Sequence, residues 1–326
     1  MPDELISRLF GGPAWDTLCS LGRVLVSPTP DDHLSPQARG MLGQAEVLVT
    51  GWGSGMVDAS VLDAAPRLKA VVHTAGSVKA FASPDCYDRG VAISSQAAAL
   101  ADPVAEYTLA MVLLAAKGAY RAQRIYRARR ATFDTQTELA SYGINGTRVG
   151  IIGASVIGRK VIELLRPFRL ELVLSDPTID DATARELGVE PVGLDELMAT
   201  CPVVSLHAPI LPTTIGMITA DRLRSLPDGA TFINTARGVL VDQDALIAEL
   251  ETGRIDAIVD VTHPEVNDVA SPLWDLPNLV LTPHIAGPTG TELGLLASSA
   301  LEEIARVLSG RTLHGAVEPS RYHAVA

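Results

Sequence analysis

Short apolar runs alternate with amphipathic stretches along most of this chain, and the runs are rich in Val and Ile. In the second half, VGIIG (149–153), LVLSD (172–176), ATFINTAR (230–237), AIVDV (257–261) and LVLTPH (279–284) each lead into a polar residue or a glycine turn. Near-continuous apolarity marks strands covered on both faces, as in a parallel sheet. Stretches of helical spacing lie between them, so the predicted repeating unit is strand, helix, strand. In the first half, GRVLVS (22–27), AEVLVTG (45–51), LKAVVHTAG (68–76) and GVAISS (90–95) repeat the pattern, with Pro28, Pro30, Pro66 and Pro84 marking turns. A long helix is predicted after Pro103 and through Arg130, with the proline in its first turn. Its second half is crowded by Arg121, Arg124, Arg127, Arg129 and Arg130, either a solvated face or one pairing across a domain or subunit contact. Residues 291–313 form a predicted amphipathic helix whose Leu293, Leu296, Ala300, Ile304 and Val307 need a partner surface; packing back on the first domain supplies one.

In an open parallel sheet, ligands bind outside the carboxyl ends of the strands. The pattern therefore delivers Asp176, Arg237 and His284, with Glu265 four residues beyond another strand, to one edge. An acid, a guanidinium and an imidazole beside a dinucleotide turn point to hydride transfer. At 326 residues the chain exceeds one ordinary core, and two domains are expected. The net charge of −12 disfavours nucleic acid and anionic membranes as partners. Cys19, Cys86 and Cys201 are too far apart for a zinc knuckle or redox pair, and an odd count suits a reducing cytosol. The N-terminal MPDELISRLF lacks the long apolar run of a secretory signal. Tyr107 to Ala116, the longest uncharged apolar stretch, is about half a membrane span. A cytoplasmic protein with no membrane segment is expected.

The turn GASVIG (153–158) sits between an apolar strand and a helical run. The dinucleotide fingerprint in that context is G-x-G-x-x-G with an acid about 20 residues on. Gly153 supplies the tight turn and Gly158 the close helix–sheet packing. The second glycine is replaced by Ser155, whose side chain adds crowding and whose hydroxyl could donate to a phosphate. The N–H groups of Ser155, Val156 and Ile157 at a helix start suit the pyrophosphate. Asp176 is placed to accept from the ribose hydroxyls, which favours NAD over NADP, though a turn cap before Pro177 explains it too.

GIIGASVIG, VSLHAPILPTT, INTARGVLVD, DVTHPE and LTPHIAG, in this order, together with PRLKAVVHTAGS and DPVAEYTLAMVL, resemble the D-isomer-specific 2-hydroxyacid dehydrogenases. The resemblance implies an α/β fold of two doubly wound parallel-sheet domains with a cleft between them. Residues 1–103 and 289–326 would form a flavodoxin-like substrate domain, and residues 104–288 a Rossmann NAD-binding domain. It also implies a homodimer, with NAD as cofactor and a small 2-oxo or 2-hydroxy acid as substrate. By motif, Arg237 would bind the substrate, because a guanidinium fork can engage carboxylate and carbonyl together. His284 would be the acid–base. Glu265 would pair with it, a carboxylate there favouring the protonated imidazole. Thr235, Ala236 and Asp260 would line the nicotinamide pocket, with Ala286 and Gly287 beside His284. His207 and Pro209 would shape the adenosine side.

Some positions depart from the family pattern. Where relatives carry Gly-Val-Asp, this chain reads Gly76-Ser77-Val78-Lys79; Gly76 and Ser77 remain candidates to hold the substrate carboxylate, and Lys79 is either a surface lysine or a magnet for an anionic tail. Asp102-Pro103 stands where relatives often have Asn, and Trp52 and Ser54 could border a pocket mouth. His263 beside Glu265 is a tempting acid–base, but it precedes a proline in a polar loop. His263, His284 and Glu265 lack a tight metal-ligand spacing, so no metal is expected. With the chain ending at residue 326, no regulatory domain is expected after the core. Two other readings keep the fold: a non-catalytic NAD(H)-sensing scaffold, and an enzyme oxidising formate or phosphite.

Overall fold

The computed structural model describes residues 1–322, which divide into two compact units. One comprises Met1–Leu100 with the chain from Pro288 onward, the other Ala101–Gly287. Both are parallel α/β, as the buried apolar runs predict.

The first unit carries strands β1 (Val47–Thr50), β2 (Ala70–His73) and β3 (Ala92–Ser95), paired in that order and all parallel. Every residue of β2 is buried, as expected for a strand covered on both faces. Helix Leu293–Leu308 buries Leu296, Ala297, Ala300 and Ile304 in a cluster with Leu9, Phe10 and Val72. That is the apolar stripe read from the sequence, and its partner surface is this sheet with the N-terminal helices. The expected strand at Gly22–Ser27 does not form. Val24 and Leu25 are half-buried beside β1 and line an apolar cavity of about 510 Å³ with Val47 and Val49. The segment forms no backbone ladder with β1, so periodicity alone overcounted the strands.

The second unit contains β4 (Arg148–Ile152), β5 (Glu171–Ser175), β6 (Glu190–Pro191), β7 (Val203–Leu206), β8 (Thr231–Asn234), β9 (Asp256–Val259) and β10 (Leu279–Leu281). Their order is β10-β9-β8-β7-β4-β5-β6, every pair parallel. The direction of winding reverses between β4 and β7, the topological switch point at which such sheets bind dinucleotides. Two apolar layers sandwich this sheet. One includes Val204, Leu206 and Phe232, the other Ile151, Val161 and Ile233.

The long helix differs from expectation at both ends. It runs from Ala97 to Ala116, so Pro103 lies inside it rather than in its first turn. The apolar alanines before Pro103 extend the helix backwards. It stops at Gly118, whose φ of +67° is left-handed, and a second helix covers Ala119–Arg129. With 20 residues and a mean hydropathy of 1.4, Ala97–Ala116 is long and apolar enough to cross a membrane by length and composition. Counting only uncharged residues stopped at Glu106 and missed this. Ala105, Val112, Ala115 and Ala116 nevertheless sit in the core of the second unit. Of the basic cluster, Arg124 pairs with Asp256 at 2.5 Å and Arg129 with Glu138 at 2.5 Å.

Two fully buried histidines give the fold a pH dependence. His73, stacked on Phe81 with ring centroids 4.3 Å apart, is pushed down to about 4 by burial and by the N-terminal ammonium. His207 is pushed down to about 3 by burial. Both stay neutral in the folded chain, while the unfolded chain protonates them near pH 6.5. The unfolded state therefore binds more protons below that pH, and stability falls as pH drops from about 6.5 toward 4, by up to ~1.4 kcal/mol per pH unit per group. Urea unfolding is expected at a lower midpoint at pH 5 than at pH 7, with a shallower decline in His207→Gln. Equal midpoints at the two pH values would contradict this.

Candidate active site

The glycine turn follows β4 at the switch point. Gly153 adopts φ +95°, and a Cβ there would lie 2.7 Å from Ala208 N and 2.8 Å from its Cα. A Cβ on Gly158 would lie 2.1 Å from the Gly153 carbonyl oxygen. Neither position accepts a side chain, because the backbones of the turn, the helix and the chain after β7 meet here. Ser155 takes the N-cap of helix Val156–Leu165, and its Oγ accepts from Gly158 N–H at 3.3 Å. The missing middle glycine is thus replaced by a capping hydroxyl whose own proton remains available to a phosphate. Among the described residues, the N–H groups of Ser155, Val156 and Ile157 have no acceptor within the chain. Open donors at a helix N-terminus, in a turn without room for side chains, fit a dinucleotide pyrophosphate.

Asp176, at the end of β5, reaches back to this turn. Its Oδ2 accepts from Ala154 N–H at 2.7 Å, and its Oδ1 from the N–H and hydroxyl of Thr178 at 2.8 and 2.7 Å. Burial pushes its acidity down, but these hydrogen bonds and the nearby Arg159 outweigh that, and its pKa lies below the ordinary value. It stays ionised as an acceptor beside the turn. Asp176 caps the Pro177 turn and bonds the backbone of the glycine turn. His207 is 4% exposed, with Nε2 2.8 Å from the buried Ser205 Oγ. Its imidazole is held by the core, and its backbone and Cβ lie against Gly153 and Gly158. Pro209 is half-buried, its carbonyl accepting from Thr214 Oγ1 at 2.6 Å.

The chemistry-bearing residues lie past the ends of the adjacent strands β8, β9 and β10. After β8, the Asn234 side chain folds the next residues over: its Oδ1 accepts from Ala236 N–H at 3.0 Å and its Nδ2 donates to Arg237 O at 3.1 Å. Thr235 is buried, its hydroxyl 3.1 Å from that of Thr108. Arg237 is half-buried and donates from Nη1 to Ala236 O at 2.6 Å. Burial lowers its pKa from the ordinary value and the Glu265 charge opposes that, so these two side chains feel each other. A guanidinium starts so high that it remains a cation.

After β9, Asp260 is 2% exposed and has no cationic partner among the described residues. Its Oδ1 accepts from Thr282 Oγ1 at 2.6 Å and Ile285 N–H at 2.9 Å, and its Oδ2 from Ala286 N–H at 2.9 Å. Its carbonyl oxygen accepts His284 N–H at 2.9 Å. Asp260 therefore holds the loop 282–286. About one of its four lone-pair sites is left for any contact with a nicotinamide. Tyr107 OH lies 2.9 Å from Thr282 Oγ1, tying the same loop to helix Ala97–Ala116. His284 itself has φ +56°, a left-handed conformation that costs a non-glycine residue ~1–2 kcal/mol. Such strain is found at sites where geometry matters.

His284 Nδ1 meets Glu265 Oε1 at 2.5 Å, which leaves Nε2 outward on a side chain 45% exposed. The loop bearing Glu265 is laced by residues that sequence reasoning passed over. Thr262 Oγ1 donates to the carbonyl oxygens of Pro264 and Glu265 and accepts from Asn267 Nδ2, while Gln243 bonds Asn267 Oδ1 and His263 N–H. His263 is exposed, and among the described residues it is bonded through its backbone N–H to Gln243. The structure thus brings Arg237, Glu265 and His284 together, with Asp260 beneath. Ala286 is buried and Gly287 half-buried beside them. Gly76 and Ser77 lie half-buried on the loop after β2 in the first unit. Among the described residues, no three His, Cys, Asp or Glu side chains are grouped to hold a metal ion.

Comparison with known proteins accords with this geometry. Residues 109–286 match the family described as D-isomer specific 2-hydroxyacid dehydrogenase, NAD binding domain. The D-3-phosphoglycerate dehydrogenase of Mycobacterium tuberculosis is 32% identical over 267 residues, covering 80% of this chain and 49% of that protein. The chain therefore spans about half the length of such relatives. The glyoxylate reductase of Korarchaeum cryptofilum is 30% identical over 250 residues, covering 76% of this chain and 75% of that protein. The solved D-lactate dehydrogenase of Aquifex aeolicus, complexed with NAD and lactic acid, superposes with a TM-score of 0.74 at 25% identity, covering 95% and 94% of the two chains. The chain belongs to the D-isomer specific 2-hydroxyacid dehydrogenase family, and its second unit carries that family's NAD-binding domain.

Proposed function

We propose that this protein is an NAD-dependent D-2-hydroxyacid dehydrogenase that works mainly as a 2-oxoacid reductase. The observation that carries the reading is the His284–Glu265 bond of 2.5 Å, with Arg237 close enough for its charge to be felt, all past adjacent strand ends. The relatives' names share one chemistry, a small acid carrying a hydroxyl or carbonyl at C2. NADH, when bound, would supply the hydride that reduces C2. Arg237 binds the substrate carboxylate and carbonyl oxygen and stabilises the negative charge that develops on that oxygen. His284 donates the proton from Nε2 to the oxygen, giving the hydroxyl, and takes it back in the oxidative direction. Glu265 fixes the ring through Nδ1, so that Nε2 faces the substrate, and stabilises the imidazolium. Asp260 keeps His284 in place through the 282–286 loop.

The N–H groups of Ser155, Val156 and Ile157 would hold the pyrophosphate and Asp176 the adenosine ribose, with Thr235, Ala236, Ala286 and Gly287 near the nicotinamide. We further propose a homodimer in the reducing cytosol, in keeping with free thiols at Cys86 and Cys201.

His284→Gln is expected to lower turnover by about 10²–10⁴-fold, the range for loss of a general acid, while NADH still binds by fluorescence titration. Undiminished turnover would overturn the acid–base role. NADH consumption tested against glyoxylate, hydroxypyruvate, pyruvate, phenylpyruvate, 2-oxoisocaproate and 3-phosphohydroxypyruvate is expected to show at least one substrate reduced to the D-hydroxyacid. NADH binding with no reduction across the whole set would favour the sensing-scaffold reading.

A further inference from the structure

The amino edge of the second sheet, opposite the strand ends that carry Arg237, Asp260 and His284, holds a small cavity of about 100 Å³. It is lined by Thr231, Asp256 and Leu279, the first residues of β8, β9 and β10, and by Arg121 and Arg124 of helix Ala119–Arg129. Arg124 pairs with Asp256 at 2.5 Å, and that aspartate is 6% exposed. Arg121 pairs with no carboxylate among the described residues, and its buried Nε has no hydrogen-bond partner there. Thr231 is 4% exposed, and its hydroxyl is likewise unpartnered among the described residues. Burial pushes the Asp256 carboxyl up from its ordinary value, and the charges of Arg124 and Arg121 oppose that. Two guanidinium groups therefore face one carboxylate, and one positive charge among the lining residues is left over.

We propose that this cavity binds a small oxyanion, a phosphate or a carboxylate, through Arg121, Arg124 and the Thr231 hydroxyl. Buried donors without an acceptor are costly, so folded chains rarely keep them unless something else occupies the place. The space holds a few waters or one oxyanion. Water would satisfy the donors and leave the charge uncompensated, whereas an oxyanion does both, and a guanidinium fork suits it. The surrounding backbone favours the same sign. The carbonyls that close the preceding helix are taken, Ala115 O by Gly118 N–H and Ala116 O by Gly143 N–H, both at 2.8 Å. The N–H groups of Ala119, Tyr120 and Arg121, in the first turn of the second helix, have no acceptor within the described chain. Strands β8, β9 and β10 begin at this cavity, so an anion bound here steadies the elements that carry the site at their other ends.

The test is calorimetric titration of the full chain, with NADH in excess, by inorganic phosphate and by acetate at constant ionic strength. At least one of the two is expected to bind, and Arg121→Gln should weaken it by about tenfold or more. Thr231→Val, which removes the hydroxyl and keeps the shape, should weaken it by about threefold to tenfold and guards against a folding defect in the arginine variant. Phosphate binding tighter than acetate would mark the ligand as a phosphate, and the reverse order as a carboxylate. In urea, the bound anion should raise the unfolding midpoint of the natural chain and raise that of Arg121→Gln much less. Uptake of neither anion would show that the cavity holds water only and would overturn the site. Uptake that survives both variants would place the anion elsewhere, at the substrate site if Arg237→Gln abolishes it, and would overturn the proposal as well.

Discussion

One buried carboxylate sets the geometry around the proposed acid–base. Asp260 has no cation beside it, and its charge is offset by three donors from the loop 282–286. Hydrogen bonds to a charged group contribute ~1.5–3 kcal/mol each, which exceeds the ~1–2 kcal/mol cost of the left-handed backbone at His284. The strain is therefore tolerated, and the histidine leaves the strand direction to meet Glu265. An unpaired buried charge would be far costlier than the strain, so the loop and the aspartate hold each other in place. Tyr107 and Thr282 extend this hold to the long helix of the same unit.

The parallel sheet makes such a local arrangement possible. Because β8, β9 and β10 are neighbours running the same way, their carboxyl ends bring Asn234, Asp260 and Thr282 within backbone reach. Asp260 N–H donates to Asn234 O at 3.0 Å, and Thr282 N–H to Val259 O at 3.0 Å, so the ladder continues past the strands into the site. At the switch point, the glycine turn and the chain after β7 approach too closely for side chains, which leaves backbone donors as the surface presented to a ligand. Strand order, more than any single motif, explains why residues about 50 positions apart in sequence, such as Gly153 and Ala208, become neighbours.

Much of the fold was legible because buried parallel strands announce themselves as apolar runs. The polar residues at their ends were legible because the pattern breaks there. What escaped depends on partners distant in sequence. RVLVS reads as a strand, yet it forms no ladder with β1 and lines a cavity beside it. The helical alanines before Pro103 and the left-handed Gly118 follow helix propensity, which a boundary drawn at the proline overrode. Asp260 was expected to line a pocket, and its work inside the chain becomes visible only when the donors of residues 282–286 are seen around it. Thr262, Asn267 and Gln243 carried no signal in the sequence, since polar loop residues look alike until their hydrogen bonds are known. His207 gave a motif signal, and its bond to Ser205 becomes visible only in the fold.

The proposed chemistry requires Asp260 to act through His284. A double-mutant cycle with Asp260→Asn and His284→Gln, read as single-turnover hydride-transfer rates at saturating NADH, tests it most directly. Residues acting as a unit are strongly non-additive, so the double variant should be about as slow as His284→Gln alone. Losses that multiply independently would show that Asp260 contributes by a separate route and would contradict the account.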